Sequence, residues 1–557
     1  MGKRTVCFLT LTFLIAIFVI PAISSARIYF FDKKLEITGK VEEKIIMKYG
    51  LKDWEKGRGK YGYRAKGGRS ENPALFRTHF YIDGLYHLFR DEDTIIDIYG
   101  LATYYYDLAH QISGKYRRGI TAYDLNKYRS PHGEDIIKEL YINYVHGPWT
   151  LRLGKQQVVW GETSTQRTAD VVNPLNMRSH VVGVDDWEDF KKALWMFRGF
   201  YQTDLANDLT FEWIWVPSDF QKMDLPPEGS VYNTDYSAGF FANMNRLWKY
   251  DMGHTNGLSA GQGGIRIRGY NFDWDWTVLW YNGIDATAVV WDWGNRKNGY
   301  TPQTGVGYAM YAQGIGGFNL YAAEYNIAAS TGSPLPDLPT TRQFKYYRTN
   351  NIGATGAKYF QNATIFGKQI PLKMMMRVEF AYKVNVHFNT HHPDPSSGNW
   401  LVDGITESDV VAYGLEISRD WLPSWITRFN GNRSVDTTIG LYQDWILDFS
   451  KNLFVQGWNR GGGDRSSTTI QFSCNTDWFK QELDTRFTVA QNVSGNGYIW
   501  FSFMYGPGQH WRFTILPRYG WTNAGYPSSG KENMKKKGYK EGTDSNNYVL
   551  FKVGYLF

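Results

Sequence analysis

From Leu372 to His387 the sequence alternates with a period of two for sixteen residues. Its even positions are Leu372, Met374, Met376, Val378, Phe380, Tyr382, Val384 and Val386, a wholly apolar face, while the odd ones include Lys373, Arg377, Glu379, Lys383, Asn385 and His387. A helix would scatter those charges among the methionines, so the repeat specifies a strand. At about 3.3 Å per residue the strand would exceed roughly 50 Å, which is long for a globular sheet and suited to a tilted strand that runs past a bilayer.

The same dyad recurs in Gly264–Tyr270, Glu482–Val489 and Trp511–Ile515. Export fits it. Lys3 and Arg4 precede a mostly apolar stretch from Val6 to Ile20, and Ser24, Ser25 and Ala26 form a small-residue cleavage site, so residues 1–26 read as a secretory signal. The apolar stretch of 15 residues falls short of the ~20 that a spanning helix needs. Cleavage before Arg27 leaves Cys474 as the one cysteine, which excludes an internal disulfide. Composition looks contradictory at first: mean hydropathy is −0.44, yet Trp, Tyr and Phe number 22, 39 and 33. A transmembrane barrel resolves this, because half of each strand faces a wet lumen and aromatic rings gather at both membrane interfaces.

Candidate strands fall near 35–49, 74–90, 94–111, 135–146, 149–160, 193–203, 209–217, 262–270, 273–283, 346–360, 372–387, 408–419, 434–448, 467–479, 482–492, 497–506, 509–521 and 547–557. The expected fold is therefore all-β: one antiparallel barrel over 27–557 with about eighteen strands, sixteen and twenty remaining open because 300–330 has room for another hairpin or a plug helix. With the N-terminus in the periplasm, the outer connections are long and the periplasmic ones short. Val493–Asn496 breaks that rule on the outer side, and Gln361–Pro371 and Asp420–Arg433 break it on the inner one. At the C-terminus, Val549, Phe551, Val553, Tyr555 and Phe557 alternate outward, and Tyr555 with the terminal Phe557 resembles the signal read by the barrel-assembly machinery.

The stretch Leu151–Pro174, LRLGKQQVVWGETSTQRTADVVNP, resembles a large family of proteobacterial outer-membrane barrels carried as a domain of unknown function. Glu139-Leu140-Tyr141, Leu209–Pro217, Pro226-Pro227 and Ile352–Lys358 also match its pattern. The resemblance implies a porin-like barrel in the outer membrane of a Gram-negative bacterium; it implies no particular solute.

A barrel of this strand number has an aqueous or partly plugged lumen, so passage is the expected activity. By the dyad, Arg266, Arg268, Lys373, Arg377, Glu379, Lys383, Asp484 and Arg486 point inward, joined by Glu139, Arg152 and Gln156. Charges of both signs can orient polar solutes in a pore, and an excess of arginine favours anions. The long segment 161–192 is the candidate inward-folded constriction, with Asp170, Asn173, Pro174, Asn176, Asp185 and Asp186 as its marked residues. Its acids Asp185, Asp186, Glu188 and Asp189 are of a type that binds Ca²⁺, although a solvated acidic loop is the simpler reading, and no metal is assigned.

Outer loops 50–73, 112–134 and 531–543 carry +4, +3 and +3. Such loops bridge the phosphates of lipopolysaccharide or draw anionic solutes toward the mouth. Nucleic acid is not an expected partner, since no basic stripe joins a recognisable module. No cofactor or catalytic residue is assigned: the string Gly257-Leu258-Ser259-Ala260-Gly261 lacks a strand-turn-helix setting, and His387, His391 and His392 do not converge on one strand face. The leading expectation is passive passage of small polar or anionic solutes by a monomer or homotrimer. A plugged barrel that moves hydrophobic molecules or lipids is the alternative, suggested by Val171, Val172 and the apolar 308–323 stretch. A structural, adhesive or enzymatic surface barrel is the third class.

Overall fold

The computed structural model describes residues 27–48, 75–109, 130–131, 133–164, 166–176, 180, 185, 187–203, 208–224, 260–286, 289–290, 344–365, 368–393, 400–425, 428, 434–450, 453–454, 465–493, 496–522 and 547–557. The signal segment 1–26, Asp186, the basic loops 50–73 and 531–543, most of 112–134, residues 257–259 and the 300–330 stretch lie outside them, as do the side chains of His391 and His392.

Eighteen strands form the wall: β1 (Leu35–Lys48), β2 (Leu75–Arg90), β3 (Thr94–Asp107), β4 (Ile137–His146), β5 (Trp149–Gln156), β6 (Leu194–Gln202), β7 (Thr210–Val216), β8 (Gln262–Asn271) and β9 (Trp274–Ile284), then β10 (Arg348–Ile365), β11 (Lys368–Pro393), β12 (Trp400–Trp421), β13 (Val435–Ile446), β14 (Ser466–Trp478), β15 (Leu483–Asn492), β16 (Asn496–Tyr505), β17 (Trp511–Thr522) and β18 (Tyr548–Leu556). Each pairs antiparallel with the next. β18 pairs with β1, from Lys40↔Leu556 to Lys48↔Tyr548, so the sheet closes. Closure satisfies the backbone within the wall, the condition for crossing a bilayer with strands.

Alternation sets the two faces. On β6, Leu194 and Met196 are 1% and 2% exposed, whereas Trp195 and Phe197 between them are 50% and 44% exposed. Trp215, Ile265, Trp280, Phe380, Ile470, Phe503 and Phe551 continue this exposed apolar belt around the outside.

Several features differ from the sequence expectation, and β3 already stops at Asp107 rather than 111. β5 ends at Gln156, because the chain turns inward there instead of continuing to 160. The 361–371 link is mostly strand, paired down to Ile365↔Lys368. Likewise β11 and β12 extend outward until Pro393 faces Trp400, taking up most of the loop expected at 388–407. Finally, the dyad of 372–387 breaks at Asn385, whose φ is +60°. The pairing jumps from Lys383↔Val410 to Val386↔Ser408, so one extra residue turns Val386 to the inner face. Asp409 stabilises this bulge by accepting the Asn385 N–H at 2.9 Å, and Phe388, Val410, Ile446 and Leu453 pack beside it. The 420–433 link stays long and the 493–495 link short, as the sequence indicated.

At the seam, Gly39 exchanges backbone hydrogen bonds of 2.8 and 2.9 Å with Phe557. A Cβ on Gly39 would lie 2.6 Å from the Phe557 ring and 2.7 Å from the Tyr81 carbonyl oxygen. Tyr555 packs on Trp511 and His510, with ring centroids 4.9 and 5.5 Å apart. Gly39→Val is therefore expected to cost about 1–3 kcal/mol by overpacking and to reduce the folded, heat-modifiable band on gels of outer-membrane fractions. An unchanged band would show that the seam tolerates a side chain there.

Candidate functional site

Between β5 and β6 the chain leaves the wall and crosses the interior. Its outgoing limb is fixed first at the backbone: Gln157 N–H donates to Glu139 Oε1 at 2.7 Å, and Arg266 Nη1 donates to the Val159 carbonyl at 3.1 Å. Trp160, fully buried, donates its indole N–H to Glu212 Oε1 at 3.1 Å. Glu212 also accepts from Arg198 Nε and Arg266 Nε, both at 2.7 Å, and is 2% exposed. This carboxylate on β7 thus joins β6, β8 and the segment. Trp160 sits edge-on to Tyr281 at 6.0 Å and against Gly264, where a Cβ would come within 2.8 Å of its ring. Val158, Ala169 and Val172 complete this core with Leu194, Met196, Ile214 and Leu279 from the wall. Strands β6, β7 and β9 are apolar on both faces here because the segment, rather than water, covers the inner one.

The tip reaches β11 and β12. Glu379 Oε1 accepts the Glu162 and Thr163 N–H groups, and its Oε2 accepts Ala169 N–H at 2.9 Å. Glu416 accepts Ser164 N–H at 3.0 Å, Ser164 Oγ–H at 3.2 Å and the Tyr442 hydroxyl. Two carboxylates, 2% and 0% exposed, hold the tip by its backbone donors.

The returning limb is pinned across from there. Asn173 accepts from Val158 N–H at 2.7 Å and donates to the Lys192 carbonyl at 2.8 Å, clasping the two limbs together. Asp170 meets Arg167 at 3.2 Å and Lys191 at 2.6 Å. Pro174 accepts Lys192 N–H through its carbonyl, and Asn176 donates its N–H to Phe190 O at 2.7 Å. Asp185 binds Lys44 of β1 at 2.5 Å, while Asp189 receives Tyr81 of β2 at 3.0 Å and Lys138 of β4 at 3.1 Å. The segment is thus tied from β1, β2 and β4 to β11 and β12, across the lumen. Burial opposes ionisation of Asp189, but Lys138 and Lys44 outweigh it and hold the carboxyl below its ordinary range.

The inward arginines occupy neighbouring strands. Arg152 on β5 lies opposite Arg198 on β6 in register, and Arg266 and Arg268 follow on β8. Arg152 lies 4.5 Å from the Tyr141 ring centre and donates to Asn143 Oδ1 at 3.3 Å. Arg268 is exposed within this arc. Register carries the inner face onward through Arg377↔Glu416 and Lys383↔Val410 to Asp484 and Arg486 of β15. Arg377 donates to Ser418 Oγ at 3.4 Å. Lys373 sits just outside the β11–β12 pairing with φ +47°.

Several residues expected to line a wet pore hold the wall or the segment: Gln156, fully buried, bonds to the Met196 carbonyl at 3.3 Å, Glu139 and Arg266 hold the outgoing limb at Gln157 and Val159, and Glu379 clasps the tip. The acidic set of the segment does not gather into one oxygen-rich site, since Asp185 and Asp189 go to different lysines, and Asp186 lies outside the described residues. Among the described residues no group of three or more His, Cys, Asp or Glu is placed to hold a metal. His387 stacks on Tyr347 with centroids 3.6 Å apart and pairs with Glu407 at 3.2 Å. Sequence reasoning missed Glu212, Glu416, Lys44 and Trp160. For both glutamates a signal existed, a lone acid inside an apolar run: Phe211-Glu212-Trp213 and Leu415-Glu416-Ile417.

A closed antiparallel barrel of eighteen strands, apolar outside and bridged inside by one long segment, defines a transmembrane β-barrel of the porin class. Residues 96–541 match the family model described as "Protein of unknown function (DUF1302)", and the chain belongs to that family. No curated protein matches the sequence. Among solved structures, Acinetobacter baumannii OccAB1 is similar at 8% identity and TM-score 0.45, over 94% of this chain and 96% of that one. OpdK from Pseudomonas aeruginosa is similar at 7% and 0.42, over 95% and 99%. Salmonella typhi OmpF, in a complex with daunomycin, is similar at 8% and 0.38, over 95% and 99%.

Proposed function

We propose that the protein is an outer-membrane channel for passive passage of small polar solutes, with a bias toward anions. The observation that carries this reading is the arginine arc of Arg152, Arg198, Arg266 and Arg268 on β5, β6 and β8, beside the segment that crosses the lumen. Glu212 neutralises part of that arc and fixes two of its members. Positive charge at a constriction lowers the cost of entry for anions and raises it for cations. Val171 and Val172, which suggested passage of hydrophobic molecules, belong to the packed core between segment and wall; the 308–323 stretch lies outside the described residues. Phosphates of lipopolysaccharide are the proposed partners of the basic outer loops.

The full-length protein reconstituted in a planar bilayer is expected to give ohmic current, with a reversal potential in a KCl gradient of the sign that marks chloride preference. Arg268→Glu should move that potential toward cations. Silence, or potassium preference in the unaltered protein, would overturn the proposal.

A further inference from the structure

A partly open cleft lies where the returning limb meets the wall of β2 to β5, with about 500 Å³ of free space when the open solvent at its mouth is counted in. Four lysines, Lys138, Lys155, Lys191 and Lys192, line it against two carboxylates, Asp135 and Asp189. The acids that pair with Lys191 and Lys192 are not part of the lining: Asp170 lies 2.6 Å from one ammonium and Asp224 lies 2.9 Å from the other. These two lysine side chains are only 3% and 6% exposed, and their rear partners offset the cost of holding an ammonium away from water. An ammonium has three donors, and one ion pair leaves the others directed elsewhere. The surface turned to the cavity is consequently positive although charge behind it is balanced.

His79 is an independent sign of a ligand. It is 3% exposed, lines the same cavity, and among the described residues its Nδ1 has no hydrogen-bond partner. A buried polar atom left in this way costs about 1–3 kcal/mol, which an incoming group can recover. Tyr105, Ile137 and Ala193 add an apolar side to the lining. Basic donors on one side and apolar surface on another suit a ligand with a charged end and a compact carbon body.

We infer that this cavity is a binding subsite for a small organic carboxylate, its charged end on Lys191, Lys192 and His79 and its body against Tyr105 and Ile137. The inference deepens the anion-channel reading and rests on it, since the subsite would hold solute beside the constriction. Binding is nevertheless measurable without conduction.

Titration calorimetry of the full-length barrel in detergent with sodium benzoate is expected to show saturable binding. Lys191→Gln with Lys192→Gln should weaken it at least tenfold. Ala193→Leu, which fills the cavity and changes no charge, should abolish it; this second variant guards against misfolding of the first, with heat-modifiability as the check on both. Failure of the unaltered barrel to saturate, or benzoate binding by Ala193→Leu at full strength, overturns the subsite. Displacement of benzoate by an equal concentration of inorganic phosphate also overturns it, because a site that reads charge alone has no use for the apolar side. Benzoate binding in a barrel that carries no current would retain the subsite and sink the channel reading.

Discussion

Glu212→Ala is expected to destabilise the barrel by about 3–5 kcal/mol, the cost of leaving a buried charge without its partner. Arg198 and Arg266, whose side chains are 9% and 13% exposed, would lose the carboxylate they share, and Trp160 would lose its acceptor. Urea unfolding in detergent, followed by tryptophan fluorescence, measures the loss. The control is replacement of the whole group, Glu212→Met with Arg198→Met and Arg266→Met, which restores much of the stability because apolar substitutes of similar size owe no desolvation cost. That triple variant should also lose anion preference, since it removes half of the arginine arc. If Glu212→Ala unfolds at the same urea concentration as the unaltered protein, the carboxylate is not the junction that its geometry indicates.

Deletion of residues 164–186, with a short Gly-Ser link in their place, is expected to raise single-channel conductance several-fold while the barrel still assembles. The deletion removes Ser164 and Ala169 from Glu416 and Glu379 and Asp185 from Lys44, and these wall groups then face solvent. Because the wall closes on itself through β1 and β18, its backbone pairing does not depend on the segment. Unchanged conductance in an assembled barrel would show that the segment does not narrow the path. A milder form of the same test is Glu379→Gln with Glu416→Gln, which keeps an acceptor oxygen at each site but sets an amide N–H against the tip donors. Its expected signature is noisier open-channel current.

The strands were legible because period two is a direct consequence of backbone geometry. Each of the eighteen candidate spans overlaps one wall strand, including the short Thr210–Val216. What periodicity could not show is where a chain with the right alternation leaves the wall. Val158 and Trp160 continue the apolar spacing of β5, yet they face a core made by strands up to about 120 residues later in sequence. Nor could it show a bulge: Asn385 adds one residue, and Val386 and Phe388 beyond it turn to the inner face. The inward-folded segment was readable as a region, from its length and its position after β5, but its anchors were not. Glu379 looked like one more lumen charge, and whether such a charge meets water or a backbone N–H depends on a segment more than 200 positions away in sequence.

That separation bears on time as well as space. The Glu162 and Ser164 contacts join residues 217 and 252 positions apart, so neither bond can form until β11 and β12 have been delivered and placed. Contacts of such long range carry the largest loop-closure cost and form late. A maturing barrel should therefore pass through a stage with its wall complete and its interior still unlatched. In that interval, protease applied to assembly intermediates should cut within 161–192, and resistance there should appear after the heat-modifiable wall does.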